Sequence, residues 1–132
     1  MSGLEIVNPD ELGRHAGFSH GILAPAGGRV LFVAGQTAPE AGDFAAQFGA
    51  ALERALAVVR EAGGGPEHVA RMTVYVTDMA TYRNERPRLG GVWRAAMGQH
   101  YPAMALVEVR SLVDPNAVVE IEATAVLSGS PR

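Results

Sequence analysis

Cysteine and lysine are both missing from this 132-residue chain. Without cysteine there is no disulfide framework and no thiolate metal site. Without lysine there is no Schiff-base chemistry on a side-chain amine, and all eleven basic residues are arginine. The net charge is −3, whereas sequence-independent nucleic-acid binding runs on clustered cations; no nucleic-acid partner is expected. No apolar run approaches the ~20 residues that cross a bilayer, so no membrane partner is expected either. The opening Met1-Ser2-Gly3-Leu4-Glu5 has no basic stretch leading into an apolar one, so no secretory signal is read there. A cytoplasmic location fits both that and the lack of cysteine. Aromatic residues are scarce at 6%, yet apolar residues reach 48% against 19% charged. That balance is globular rather than disordered. The length predicts one domain over residues 1–132, able to bury a core without staples.

What is present is alternation and helical periodicity in a fixed order. Residues 4–7 and 19–23 read as short strands, and residues 30–34 as a buried one. The Gly27-Gly28 turn between the last two reads as a hairpin. Residues 43–62 carry Phe44, Phe48, Leu52, Ala55 and Val59 at three- and four-residue steps, the apolar stripe of a helix. Gln47, Glu53, Arg54, Arg60 and Glu61 fall on its other side. Asp43 is the expected N-cap, and Gly63-Gly64-Gly65-Pro66 the stop. Residues 71–77 alternate, with Met72, Val74 and Val76 on one face. A second helix is expected over about residues 79–98, with Leu89, Val92, Trp93, Ala96 and Met97 as its apolar face. Pro87 and Gly90-Gly91 predict a break or a late start there. Residues 104–109 and 118–127 are the last two strands, joined by a loop with Asp114-Pro115-Asn116.

Two amphipathic helices suffice to cover one face of a sheet. On the last strand Val119, Ile121, Ala123 and Ala125 point one way, and Val118, Glu120, Glu122 and Thr124 the other. On the strand before it, Met104, Leu106, Glu108 and Arg110 share a face. With no third helix, the second face of the sheet is either solvated or an oligomer interface.

The element order and four local motifs resemble the RidA/YjgF family over nearly the whole chain. Tyr101-Pro102-Ala103-Met104, running on to Val109, is similar to the family's Pro-Ala-Arg strand. Val119-Glu120-Ile121-Glu122-Ala123 is similar to its terminal Glu-Ile-Glu-Ala strand. Ala34-Gly35-Gln36 resembles a Ser-Gly-Gln segment, and Phe18-Ser19 stands where many members have Tyr-Ser. The resemblance implies an α+β, chorismate-mutase-like fold: a mixed sheet of about six strands with two helices packed on one face. It implies a homotrimer with a small-molecule pocket at each subunit interface, and no cofactor. In the best-studied members that pocket hydrolyses reactive enamines and imines such as 2-aminoacrylate to keto acids and ammonia. The signature arginine clamps the substrate carboxylate, and the glutamate of the last strand helps place the water.

Here the signature position is Met104. A bidentate arginine–carboxylate contact is strong and geometrically specific. Losing such a buried contact costs ~2–5 kcal/mol, or roughly 30- to several-thousand-fold in affinity. A thioether is only a weak acceptor and cannot replace it. Arg110 shares the face of Met104 but, at ~3.3 Å per residue, lies ~20 Å along the strand. Amino-acid-derived imines are therefore poor substrate candidates.

Carried over residue by residue, the resemblance makes Glu120 the catalytic carboxylate; otherwise it is a structural interface charge. His20, two residues past Phe18, is able to act as acid or base, or is a surface histidine. Phe18, Ser19, Ala34, Gly35, Gln36 and Met104 become the ligand-binding set. Gly35 and Gln36 either offer backbone groups to the pocket or form a tight turn. With Phe18, Ala34 and Met104 in place of more polar residues, the pocket reads as unusually apolar. His15, His68 and His100 have no partners at metal-ligand spacing, nor do His15 and His20 form such a pair, so no metal is expected. Two functions compete. One is a RidA-like hydrolase of a small enamine or imine other than 2-aminoacrylate. The other is a non-catalytic trimer that retains a small apolar ligand. A ribonuclease role fits the acidic, lysine-free chain least.

Overall fold

The computed structural model describes residues 2–13 and 16–129 of the chain. His15, weighed above as a metal ligand, lies outside them. Asp43 starts the first helix as its chemistry dictates. Its carboxylate accepts from the Ala46 backbone N–H at 3.0 Å, a donor with no partner inside the helix. Helix α1 runs Phe44–Glu61, and Gly63 then turns the chain at φ 97°, an angle that only glycine adopts without strain. The predicted stripe of Phe44, Phe48, Leu52, Ala55 and Val59 is the buried one. Gln47 corrects the expectation of an exposed position, being only 4% exposed. Its amide nitrogen donates to the carbonyls of Gly42 and Asn116 at 3.1 and 3.3 Å, and its amide oxygen accepts from Val118 N–H at 3.0 Å. A buried amide is tolerated because both of its ends are satisfied.

Helix α2 spans Met79–Met97 without interruption, so the break expected at Pro87 does not occur. Asp78 caps it through Ala80 and Thr81, and Glu108 accepts from Met79 N–H at 2.8 Å. Pro87 and Arg83 are both exposed. The carbonyl four residues before the proline can therefore bond to water, which lowers the cost of the missing helical hydrogen bond.

The strands are β1 (Glu5–Val7), β2 (Gly21–Leu23), β3 (Arg29–Gln36), β4 (Val69–Val76), β5 (Ala103–Glu108) and β6 (Val119–Leu127). Four of them form one sheet in the order β3-β6-β4-β5, in which β4 and β5 are parallel and the other pairs antiparallel. β1 and β2 make a separate antiparallel pair. The fold is thus α+β with six strands and two helices, as expected, but the hairpin between β2 and β3 is not formed. The turn between them explains why. Gly28 N–H bonds to Pro25 carbonyl at 3.3 Å, and the positive φ falls on Gly27, the third residue of that turn. Hairpins of two-residue loops need it on the second, or on both central residues. This turn splays the strands, and β3 takes β6 as its partner.

One face of the four-stranded sheet carries the core. Met72, Val74 and Val76 of β4 and Val119, Ile121 and Ala125 of β6 are buried with the inner faces of both helices. The other face holds Tyr75, Glu120, Glu122 and Thr124, and it leaves Phe32 79% and Val30 54% exposed. No helix of the described residues is long and apolar enough to cross a membrane.

Candidate functional site

Ser19 fixes the entrance to the site. Its N–H donates to Pro102 carbonyl at 3.0 Å and its hydroxyl to Tyr101 carbonyl at 2.5 Å, and it bridges Ala103 in parallel fashion. The segment before β2 therefore extends the sheet beyond β5. Ser19 is 4% exposed, and its hydroxyl anchors the chain to Tyr101. The next residue is held too, since His20 N–H donates to the Asn8 side chain at 2.6 Å. Phe18 is thereby placed at the edge of β5.

Beyond that edge lies a cavity of about 370 Å³, enclosed by the Phe18 segment, β5 and α2. Met104 and Leu106 face it, because β5 pairs in parallel with β4 at Met72↔Met104 and Val74↔Leu106. Paired residues share a face, and Met72 and Val74 point to the helices. The α2 wall consists of Tyr82, Arg86, Leu89, Gly90 and Trp93. Trp93 is locked by stacking on Tyr101, with ring centroids 5.9 Å apart and planes 6° from parallel, and by donating its ring N–H to His100 carbonyl at 3.1 Å. Phe18 and Met104, two of the expected ligand-binding residues, thus line one cavity. His20 is near but does not line the cavity; its ring meets Phe18 edge-on at 5.0 Å.

The remaining candidates gather elsewhere. Ala34, Gly35 and Gln36 are the end of β3, not a loop after it. Gly35 is required by a close approach and not by a turn. A β-carbon there would stand 2.6 Å from Glu120 Oε2 and 2.8 Å from its Cδ, so the carboxylate lies directly over the Gly35 backbone. Gln36 bonds locally, its amide to Ala34 carbonyl at 3.1 Å. Beside this group Tyr75 donates to Glu122 at 2.6 Å, and that hydrogen bond to an anion, with burial, holds its phenol above the usual tyrosine range.

Met104 and Glu120, both expected at the same pocket, are not brought together within one chain. β4 stands between β5 and β6. Glu120 pairs with Tyr75 on the face away from the helices, whereas Met104 packs toward them. Within one chain the aromatic cavity and the Glu120 carboxylate therefore lie on opposite faces of the sheet. Among the described residues no group of three or more His, Asp and Glu stands together as a metal site. Arg86, Gly90, Tyr82 and Tyr101 were missed from the sequence as cavity residues. The signal for Arg86 was its place in the helical stripe, four residues after Tyr82 and seven before Trp93, where an apolar residue is the norm.

The family model described as Endoribonuclease L-PSP matches residues 9–127. A RutC family protein of Pyrococcus abyssi is 32% identical over 105 residues, which cover 74% of this chain and 79% of that protein. A protein of unknown function of the conserved Rid family from Yersinia pestis aligns with a TM-score of 0.79 at 29% identity, over 95% of this chain and 99% of its own. A member of the YjgF/YER057c/UK114 family from Mycobacterium tuberculosis aligns with a TM-score of 0.65 at 32% identity, over 94% of this chain and 99% of its own.

Proposed function

This chain belongs to the endoribonuclease L-PSP family, which takes in the Rid and YjgF proteins, and from that membership we propose that it hydrolyses a small enamine or imine in a cavity completed by a second copy of the chain. The observation that carries the reading is the cavity of about 370 Å³ with Met104 and Phe18 in its lining. Its size suits a small metabolite, and its walls suit one with an apolar body. The enamine first tautomerises to the imine. Water then adds to the imine carbon, the nitrogen takes up protons, the C–N bond breaks, and ammonia leaves behind a carbonyl. Such a sequence needs a group that positions or activates water. The described lining offers no carboxylate or histidine for that task. Glu120 of a neighbouring copy is the group with the right chemistry, and Phe32 and Val30 on the same open face favour a homotrimer that would deliver it.

That same lack of a base within the cavity favours the second reading, a trimer that binds its ligand without turning it over. RNA cleavage, which the family's description names, is disfavoured by the lysine-free chain and by Glu120 and Glu122 on the open face, since RNA backbones attract clustered cations. The two readings separate in an assay that generates small imines in situ, from simple amines as well as amino acids, and follows release of the carbonyl or keto-acid product, with calorimetric titration beside it for binding. Acceleration by the parent that falls at least a hundredfold in Glu120→Gln supports hydrolysis. Saturable binding with no acceleration, unchanged by Glu120→Gln, supports the binding trimer instead.

A further inference from the structure

We infer that Arg86, carried by α2, holds the anionic end of the ligand, so that the cavity takes a small carboxylate with an aromatic or branched apolar body. The inference rests on reading the cavity as the ligand site. Tyr82, Arg86, Leu89, Trp93 and Met97 follow one another at four, three, four and four residues. At about 100° per residue, Arg86 falls within the stripe that α2 turns toward the sheet. Leu89, Trp93 and Met97 of that stripe are buried. A guanidinium in such a stripe is tolerated only where its charge reaches water or an anion. Arg86 does so at the mouth, where it is exposed while still lining the cavity.

No carboxylate lines the cavity to neutralise it. None of the ion pairs among the described residues uses Arg86, whereas Arg88, two residues on, is engaged by Asp43 and Glu85. The other polar groups of the lining are the Tyr82 and Tyr101 phenols and the Trp93 ring N–H, which is already donated to His100 carbonyl. One turn past Arg86, Gly90 also lines the cavity and contributes no side chain to it. The electrostatic role that Met104 cannot fill from the strand is thus available from the opposite wall. A ligand must be long enough to meet Arg86 at the mouth and the Trp93–Tyr101 stack within. That requirement excludes a three-carbon enamine, whose body would leave the aromatic wall uncovered.

The test is calorimetric titration of the full chain with 3-phenylpropionate and with its neutral amide, which differ only in charge at one end. The parent is expected to bind the acid roughly ten- to a hundredfold more tightly than the amide, as for a hydrogen bond to a charged group, with the preference shrinking as salt rises. Arg86→Gln should bring the acid down to the level of the amide and leave the amide unchanged. Gly90→Leu should weaken both, because it fills the cavity; a β-carbon there meets nothing closer than the flexible Arg94 end at 3.4 Å. Equal binding of acid and amide by the parent, or a preference that survives Arg86→Gln, overturns the role of Arg86 while the cavity stands as the ligand site. If the parent binds neither probe, the cavity reading falls and this inference with it.

Discussion

Gly35 shows how a residue's role can be settled by what passes over it. The absence of a side chain leaves room for the Glu120 carboxyl, and the nearest atom to an added β-carbon is the far end of that side chain. A methyl group there would push the carboxylate aside without moving backbone. Gly35→Ala is therefore expected to change stability by less than about 1 kcal/mol and to lower any turnover that uses Glu120 at least tenfold. Denaturant unfolding and the keto-acid assay, run on the same preparation, check the two halves of that statement. At this scale the sequence was informative about identity and silent about direction. It singled out Phe18, Met104, Gly35 and Glu120, because each stands in a recognisable local motif. It did not say that Met104 and Glu120 point to opposite faces, because that depends on β5 pairing with β4 at Met72↔Met104. Register between distant strands leaves no mark on either strand alone. Nor does the sequence show that Ser19 is an anchor, since that needs the Tyr101 carbonyl 82 residues away.

Elements were most legible where their signals are local. Helix α1 follows from its stripe, its Asp43 cap and its glycine stop, and the alternation of residues 71–77 gives β4. The pairing of β3 was misread because a Gly-Gly turn predicts a hairpin only if the positive φ falls on the right residue. Pro87 was read as a break because its cost in a helix interior is large; the exposed position of α2 at that point was not in the sequence. The cap of α1 also has a pH dependence with a definite sign. The Ala46 N–H bond, aided by Arg88, holds the Asp43 carboxyl below the ordinary aspartate value. A carboxylate with a depressed folded pKa contributes stability that is fully present above its unfolded value, near about 3.9. That contribution is lost as the pH falls through the folded value. Asp43→Asn keeps a capping oxygen but not the charge. The stability difference between parent and variant should thus be constant from neutral pH to about pH 5, then narrow steadily below about pH 4. Urea titrations across that range measure it, and a gap that widened on acidification would contradict the assignment.

For the whole molecule, the question is what covers the second face of the sheet. The helices occupy one side, and Phe32 stands 79% exposed on the other, beside Val30 and opposite Thr124, on the face that also holds Glu120. A monomer gains nothing from that phenyl ring. Phe32→Asp should consequently leave the isolated fold intact, at a cost no greater than the ~1 kcal/mol spread of strand propensities. In a homotrimer the same change acts once per subunit. Each copy would put an unpaired carboxylate into an interface, at a penalty of several kcal/mol per ion. The expected result is a trimer for the parent at micromolar concentration and a monomer for the variant by sedimentation, with the same far-UV dichroism. Function adds a second readout, because the aromatic cavity and Glu120 lie on opposite faces of one chain. If a neighbouring copy completes the site, the monomeric variant should lose turnover along with assembly, while the apolar cavity still binds 3-phenylpropionate weakly. A parent that sediments as a monomer would mean that this face is simply solvated. Glu120 would then have no route to the cavity, and both readings would fail as stated, since each is of a trimer; binding by the cavity of a single chain would be all that is left.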